Sequence, residues 1–340
     1  ITTNAQVLNH KQEFTRQESL RGTNNEFRNW WDVKKYKVSV EADYQSKSIK
    51  GKATIIFDKT AAQKSNLLQI DLQDPMIISA VILNGKEISD FKRDGNVYFI
   101  NVGKNIKNSA NQLELIYSGN PRVAVKAPWD GGWIFAKDEK GRDWMSVAVQ
   151  GLGASAWFPN KDYLGDEPDN GMELEIIAPK GMVGVGNGRL VSTKNLKDKT
   201  TSTWKVVNPI NNYNIIPYIG HYVNFKDTYD GEKGKLDLDY YVLDYNIDKA
   251  KLQFEQAKMM LKSFEHWFGP YAFYEDSFKI VEAPHLGMEH QSGIAYGNKF
   301  ENGYLGRDLS GSGWGLKWDF IIVHEAGHEW FGNNITEKDV

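Results

Sequence analysis

The spacing of the apolar residues changes along this chain, and this change is the strongest constraint on its fold. In residues 36–40 and 53–57 apolar and polar side chains alternate, which is the period of a half-buried β-strand. In residues 254–268 the apolar side chains recur instead at intervals of three and four, which places them along one face of a helix. The sequence therefore predicts a β-rich N-terminal domain followed by a mixed α/β region.

The same change predicts where the domains begin and end. Residues 1–23 are polar and have no steady period, so we predict an N-terminal extension there. Residues 24–221 are predicted to form the β-sheet domain, and residues 222–340 the α/β domain. In the β-sheet domain, three dipeptides that favour positive φ predict tight hairpins: Asn84-Gly85, Asp94-Gly95 and Asn187-Gly188.

Two helices are predicted in the α/β domain. The first covers residues 248–268, where Asn246 can cap the start and Gly269 ends the helix. The second covers residues 318–331 and is stopped by Gly332.

Composition excludes several kinds of site. The chain contains no cysteine, so disulfides, thiol nucleophiles and cysteine-ligated metal sites are excluded. Its 41 basic and 44 acidic residues give a net charge of −3, and this balance gives no reason to expect a nucleic-acid partner. The longest run without a charged residue, 206–225, contains several asparagines and two prolines, so no transmembrane segment is predicted.

The second predicted helix carries a pattern typical of a metal site. His324 and His328 are four residues apart, so both imidazoles lie on one helix face at a separation that suits a single metal ion. Glu325 comes next to the first histidine, where a general base can deprotonate a metal-bound water. The flanking residues are apolar, and three ionisable groups in such a helix are unfavourable unless something pairs them. The alternative is a helix with two incidental histidines, one of them buried and hydrogen-bonded.

A catalytic zinc usually has three protein ligands and one open position. Because the chain has no cysteine, the third ligand must be Asp, Glu or His. His285 and His290 lie near the candidate chemistry, but no local pattern shows that either of them reaches the metal.

A second motif, Gly287-Met288-Glu289-His290, by itself indicates a glycine turn with a solvated glutamate. Together with residues 324–336, His-Glu-Ala-Gly-His-Glu-Trp-Phe-Gly-Asn-Asn-Ile-Thr, it resembles the aminopeptidase N-like family of zinc aminopeptidases. In that family a Gly-x-Met-Glu-Asn stretch precedes the zinc helix. The segments around Gln150, at 267–271 and at 31–36 are also similar to family segments, so the resemblance runs from about residue 24 to the end.

The resemblance implies a fold and a metal site. The fold would be a β-rich N-terminal domain followed by the first part of an α/β, thermolysin-like catalytic domain. His324 and His328 would be zinc ligands, and Glu325 would be the general base.

The resemblance also implies how a substrate binds. Glu289, with help from Gln150, would bind the free α-amino group of a peptide, and Gly287 and Met288 would line the peptide backbone. An ammonium group needs a carboxylate partner, and an anionic anchor at a fixed distance from the zinc makes a peptidase act at the N-terminus. The expected partners are therefore peptides with a free N-terminus.

The sequence departs from the family pattern in two places. Leu286 replaces the family's first Gly, and His290 replaces its Asn. The family's third zinc ligand, a Glu in the pattern His-Glu-x-x-His-x18-Glu, would fall at position 347, seven residues beyond Val340. We therefore expect an incomplete fragment of the parent enzyme that is inactive or binds zinc weakly.

Other functions are compatible with the same motifs. They are a zinc endopeptidase, an epoxide hydrolase on the same scaffold, and a binding fragment without catalytic activity. The sequence leaves the cellular location open. Ile1 in place of an initiator methionine and the polar extension favour an extracellular or periplasmic enzyme over a cytoplasmic one.

Overall fold

The fold is that of a computed structural model, and the structure describes residues 13–60, 63 and 65–337. The α-helices of these residues are α1 (Arg16–Gly22), α2 (Ile247–Gln253), α3 (Gln256–Phe268) and α4 (Phe320–Gly327). Short 3-10 helices lie at Ala154–Ala156, Asn212–Asn214, Tyr274–Asp276 and Trp314–Lys317. The strands, in chain order, are β1 (Trp31–Asp43), β2 (Ser48–Lys59), β3 (Leu67–Asp71), β4 (Ile77–Leu83), β5 (Lys86–Glu87), β6 (Phe91–Asp94), β7 (Val97–Asn101), β8 (Asn111–Gly119), β9 (Gly132–Lys137), β10 (Asp143–Ala148), β11 (Met172–Pro179), β12 (Val183–Val185), β13 (Arg189–Asn195), β14 (Lys199–Val206), β15 (Tyr218–Gly220), β16 (Tyr222–Gly231), β17 (Gly234–Leu243), β18 (Phe278–Glu282), β19 (Gly287–Met288) and β20 (Ile294–Tyr296).

The strands of the described residues form four sheets. The largest has eight strands in the order β13-β14-β11-β1-β2-β8-β4-β5. Two smaller sheets have the orders β12-β15-β10-β9 and β3-β7-β6. The fourth sheet, β16-β17-β18-β20-β19, contains only strands that follow residue 221. The β-rich N-terminal region predicted from the alternating pattern is therefore present, and a mixed α/β region follows it.

Alternation in sequence produces the long hairpin at the centre of the largest sheet. β1 and β2 pair antiparallel, with Val38 opposite Ala53 and Val40 opposite Gly51. The side chains of Val38 and Val40 are buried, because alternate residues of a strand point to the same face. β1 also pairs in parallel with β11. A parallel pair requires a long crossover connection, so the alternation within β1 carries no information about this partner.

Two of the three predicted hairpins are present. Asn84 and Gly85, with φ of 52° and 80°, connect β4 to β5, and Gly95, with φ of 59°, lies between β6 and β7. The prediction at Asn187-Gly188 is wrong. The strands on either side, β12 and β13, belong to different sheets, so the chain crosses between sheets there although Gly188 does have a positive φ of 69°.

The first predicted helix is interrupted. Residues 248–268 lie in two helices, α2 and α3, which separate at Phe254. The Phe254 ring is buried and packs edge-on against Tyr296 with ring centroids 5.0 Å apart. Asn246 occupies the N-cap position of α2, but its side chain makes no capping hydrogen bond and donates instead to Glu282 Oε1 at 2.7 Å. The Glu282 carboxylate orients this side chain through its NH2 group, and Oδ1, the atom that would accept a capping hydrogen bond, has no hydrogen-bond partner.

Part of the predicted N-terminal extension forms α1, which the sequence analysis did not predict. Thr15 and Glu18 form a capping box at its start, with Glu18 N donating to Thr15 Oγ1 at 3.3 Å and Thr15 N donating to Glu18 Oε2 at 2.7 Å. Near its end, Arg21 Nη2 donates to the carbonyl oxygen of Gly151 at 2.9 Å, so α1 packs beside the segment that carries Gln150. Residues 1–12 of the predicted extension lie outside the described residues.

Two clusters of buried apolar residues form the core. One is built mainly from residues 30–222, and the other from residues 236–330. The first cluster also includes Val281, Ala283 and Met288, so the β-rich region packs directly against the sheet that ends in β19. The domain boundary near residue 221 stays a prediction. Residues 206–225 contain the end of β14, the 3-10 helix Asn212–Asn214, β15 and the start of β16. No helix in the described part of the chain is long and apolar enough to cross a membrane.

Candidate active site

α4 begins at a buried carboxylate that connects it to the neighbouring sheet. Asp319 Oδ1 accepts hydrogen bonds from the backbone N–H groups of Ile321 and Ile322, at 3.0 and 3.2 Å, and so caps the helix. Its Oδ2 accepts a hydrogen bond from the Tyr296 hydroxyl at 2.6 Å, and Tyr296 lies on β20. The start of α4 is therefore held at a defined position on the five-stranded sheet.

α4 ends at Gly327, four residues before the predicted end of this helix. His328 is its C-cap and keeps right-handed helical angles, with φ of −66° and ψ of −19°. The two histidine rings therefore remain on one side, with centroids 4.9 Å apart and planes at 90°.

His324, Glu325 and His328 form a candidate metal site. Their ligand atoms all lie within 4.8 Å of one another. His328 Nδ1 is 3.0 Å from the carbonyl oxygen of Phe331, so a proton on Nδ1 donates to that oxygen and Nε2 keeps its electron pair. His324 stacks on Phe320, with ring centroids 5.3 Å apart and planes at 16°. Two imidazoles beside a carboxylate are a donor set that suits a divalent metal such as zinc, so these residues fit the ion.

Burial changes the protonation of this group. Burial, and then the nearby Glu289 carboxylate, raise the pKa of Glu325 to about 8. Partial burial, and then the neighbouring His328, lower the pKa of His324. Neutral imidazole is the form of histidine that binds a metal, and a bound cation favours the ionised form of a nearby carboxylate.

β19 runs directly past the Glu325 carboxylate. It is the edge strand of its sheet and pairs on one side with β20, with Gly287 opposite Tyr296. The other side of an edge strand offers unpaired N–H and C=O groups to which an extended peptide can add as a further strand. A Cβ atom on Gly287 would lie 2.2 Å from Glu325 Oε1, so the close approach of strand and carboxylate requires glycine here.

Glu289 follows β19 and is held through both its side chain and its backbone. Its Oε1 accepts a hydrogen bond from the Tyr213 hydroxyl at 3.0 Å. Its carbonyl oxygen accepts one from Asn333 Nδ2 at 2.7 Å. Glu289 is 5% exposed, so its carboxylate has little solvent around it and a fixed position.

One cavity of about 550 Å³ brings the predicted residues together. Gln150, two residues after the end of β10, lines this cavity together with the loop that carries Glu289. Trp129, Leu152 and Tyr304 add apolar surface to the same walls. All seven site residues predicted from the sequence line this cavity: Gln150, Gly287, Met288, Glu289, His324, Glu325 and His328.

The residues that depart from the family pattern have different surroundings. Leu286 lines the same cavity. His290 is fully buried, and its Nδ1 lies 2.8 Å from the Tyr218 hydroxyl. Burial lowers the pKa of His290 well below its usual value, so the imidazole is neutral and adds no positive charge beside Glu289. His285 lines a separate cavity, and the metal-ligating group found in the described residues does not include either histidine.

Sequence reasoning missed three residues around this site. Asp319 could have been found, because an Asp directly before an apolar helix is a typical N-cap. Phe320 could have been found from its position four residues before His324, which puts the two rings on one helix face. Tyr213 could not, because it is 76 residues from Glu289 and no local pattern connects them.

The chain has the fold of the M1 zinc metallopeptidases. It matches the M1 zinc metallopeptidase of Deinococcus radiodurans with a TM-score of 0.72 and 16% identity, over 92% of this chain and 66% of that one. A mutant two-domain M1 zinc metallopeptidase bound to L-tryptophan gives a TM-score of 0.73 at 16% identity, over 94% of this chain and 67% of that one. Native yeast LTA4 hydrolase gives 0.67 at 17% identity, over 90% and 45%. The predicted fold class and family resemblance are thereby confirmed.

In sequence, the chain is similar to the probable aminopeptidase 2 of Sulfurisphaera tokodaii. The two are 22% identical over 313 residues, which is 90% of this chain and 36% of that protein. The chain thus spans little more than a third of this curated relative and about two thirds of the Deinococcus structure. No protein-family model matches the chain.

Proposed function

We propose that this chain is part of a zinc-dependent aminopeptidase that removes N-terminal residues from peptides. The observation that carries the proposal is the shared cavity, in which the group formed by His324, Glu325 and His328 faces an edge strand and the fixed carboxylate of Glu289. The relatives support it, because one matched structure is an M1 zinc metallopeptidase mutant bound to a Tyr-Ser-Ala substrate.

In this proposal, His324 and His328 would hold the zinc, and a Glu at position 347 would be the third ligand. When bound, zinc polarises the scissile carbonyl group and lowers the pKa of the attacking water. Glu325 accepts the proton of that water on its carboxylate and passes it to the leaving amine. Its position beside the two histidines suits a group that takes a proton from a water at the metal.

The substrate side of the cavity explains why cleavage would occur at the N-terminus. Glu289 binds the α-ammonium group through a charge-assisted hydrogen bond, with help from Gln150, which lines the same cavity. The free edge of β19, at Gly287 and Met288, pairs with the substrate backbone. These contacts set the distance between the ammonium group and the bond that is cleaved.

A pair of substrates tests the role of the amine. We expect the chain continued past position 347, supplied with saturating zinc, to cleave L-leucine p-nitroanilide and to leave N-acetyl-L-leucine p-nitroanilide intact. Equal turnover of the acetylated substrate would contradict the amine anchor and favour an endopeptidase.

A second experiment tests the third ligand. Zinc content is measured after dialysis for the 340-residue chain and for a chain continued past position 347. We expect low zinc content and little turnover in the shorter chain, and about one zinc per chain with turnover in the longer one. Full zinc loading and activity of the 340-residue chain would contradict this part of the proposal.

A further inference from the structure

The 3-10 helix Asn212–Asn214 belongs to the β-rich region but reaches the loop that carries the amine anchor. Within this turn Tyr213 is 5% exposed and Asn214 is fully buried. Both side chains point at residues of the α/β region, and each makes a hydrogen bond there. The turn is therefore a contact between the two regions at the position of Glu289.

The side chain of Glu289 is held by the first of these contacts. The Tyr213 hydroxyl donates to Oε1 at 3.0 Å. Burial, and then the negative charge of Glu289, raise the pKa of Tyr213 far above its usual value, so the hydroxyl stays protonated and always donates. The bond occupies one carboxylate oxygen, and Oε2 remains to accept a hydrogen bond from an ammonium group.

The backbone of Glu289 is held by the second contact, through one intermediate residue. Asn214 Nδ2 donates to Asn333 Oδ1 at 2.8 Å, and Asn333 Nδ2 donates to the Glu289 carbonyl oxygen at 2.7 Å. Accepting from Asn214 fixes the orientation of the Asn333 amide and directs its N–H group at Glu289. Two neighbouring residues of one turn, Tyr213 and Asn214, therefore constrain the side chain and the backbone of Glu289.

We propose that the Asn212–Asn214 turn positions the amine anchor, and that Tyr213 is a positioning residue which gives the site its selectivity for a free N-terminus. This inference rests on the proposed function, in which Glu289 binds the substrate ammonium group. Glu289 repels the nearby Glu325 carboxylate, so without the Tyr213 hydroxyl its side chain can rotate away from the position that meets the substrate. Tyr213, a residue of the β-rich region, then decides how strongly the cavity prefers a free N-terminus.

The test compares two ligands that differ only at the amine. The affinities of L-tryptophan and N-acetyl-L-tryptophan are measured by isothermal titration calorimetry at saturating zinc. In Tyr213→Phe we expect the preference for L-tryptophan to fall about tenfold, the effect of losing one hydrogen bond to a charged group. The affinity for the acetylated ligand should be unchanged. Tyr163→Phe is the matched control, because Tyr163 is buried beside the same small cavity as Tyr213 and should leave both affinities unchanged.

Further variants separate positioning from a general structural role. In a Glu289→Gln background, Tyr213→Phe should have no additional effect on the preference, because the charged acceptor is gone. Asn214→Ser should reduce the preference in the same direction through the Asn333 contact, which provides a test if Tyr213→Phe does not fold. If Tyr213→Phe weakens both ligands equally, or neither, the positioning role is wrong while the proposed function stands. If the unaltered protein shows no preference for the free amine, the proposed function fails and this inference falls with it.

Discussion

Gly287→Ala tests the closest contact in the site. The added methyl group would lie 2.2 Å from Glu325 Oε1, 2.9 Å from its Cδ and 3.0 Å from its Cγ. Ordinary van der Waals contact begins at 3.4 Å, so the carboxylate would have to move by about 1 Å. Glu325 is only 6% exposed and has little room to do so. The backbone of Gly287 does not have a positive φ, so the effect of the substitution comes from the contact alone.

We expect this displacement to affect catalysis more than folding. Overpacking a buried site typically costs about 1–3 kcal/mol of unfolding free energy, whereas misplacing a catalytic group by about 1 Å can reduce the rate about 100-fold. The assay is kcat for L-leucine p-nitroanilide at saturating zinc in the chain continued past position 347, with urea unfolding and zinc content measured on the same preparations.

Gly151→Ala is the control for this prediction. Gly151 lines the same cavity, and an added Cβ there would meet no heavy atom within 4 Å. We expect kcat to stay within about twofold of the unaltered protein, since surface changes of this kind are nearly neutral. Unaltered kcat and stability in Gly287→Ala would refute the reasoning, because β19 would then not constrain the Glu325 carboxylate.

Three further predictions follow from single residues. Glu325→Gln should reduce turnover by at least about 100-fold while the melting temperature changes little; retained turnover in the zinc-loaded variant would reject the role of general base. His328→Ala should remove one of the two proposed metal ligands on α4 and reduce zinc affinity by at least about tenfold, as measured by competition with a chelating dye; unchanged affinity would show that the metal is held elsewhere. Lys279 is fully buried, and burial lowers its pKa from 10.5 to about 7. Between those pH values the unfolded chain holds a proton that the folded chain lacks, so this residue should make the unfolding free energy rise with pH, by up to about 5 kcal/mol in total. Urea unfolding at pH 7 and pH 10 should show a smaller rise in Lys279→Met, and an identical rise in both proteins would refute the assignment.

Some features of the site could be predicted because they depend on short segments. The four-residue spacing of His324 and His328 puts both rings on one side of α4 in any helix of ordinary geometry. The rings meet even though the helix ends at Gly327, because His328 keeps helical angles. Which atoms bind metal, and what Glu325 and Glu289 do, remain proposals that the experiments above test.

Other expectations failed where a distant partner decides the local structure. Asn187-Gly188 has the composition of a hairpin, yet β12 pairs with β15 and β13 pairs with β14. Lys279 and Gln291 contribute to this outcome. Lys279 Nζ donates to the carbonyl oxygen of Gly186 at 2.8 Å, and the Asn187 amide donates to the Gln291 carbonyl oxygen. Contacts with the α/β region therefore hold Gly186 and Asn187, in a segment whose local composition favours a hairpin.

The sequence by itself determined the features that follow from the regular spacing of side chains along strands and helices. It specified a β-rich region followed by helices, the shared face of the two histidines, and the absence of any thiol ligand. Tertiary structure decided which distant segments meet: β1 with β11, α1 with the Gln150 segment, and the Asn212–Asn214 turn with Glu289. The physical reason is that periodicity reports which face of an element is buried, but not which element covers it. The position of the Glu289 carboxylate depends on such a contact, because its hydrogen-bond donor lies 76 residues away.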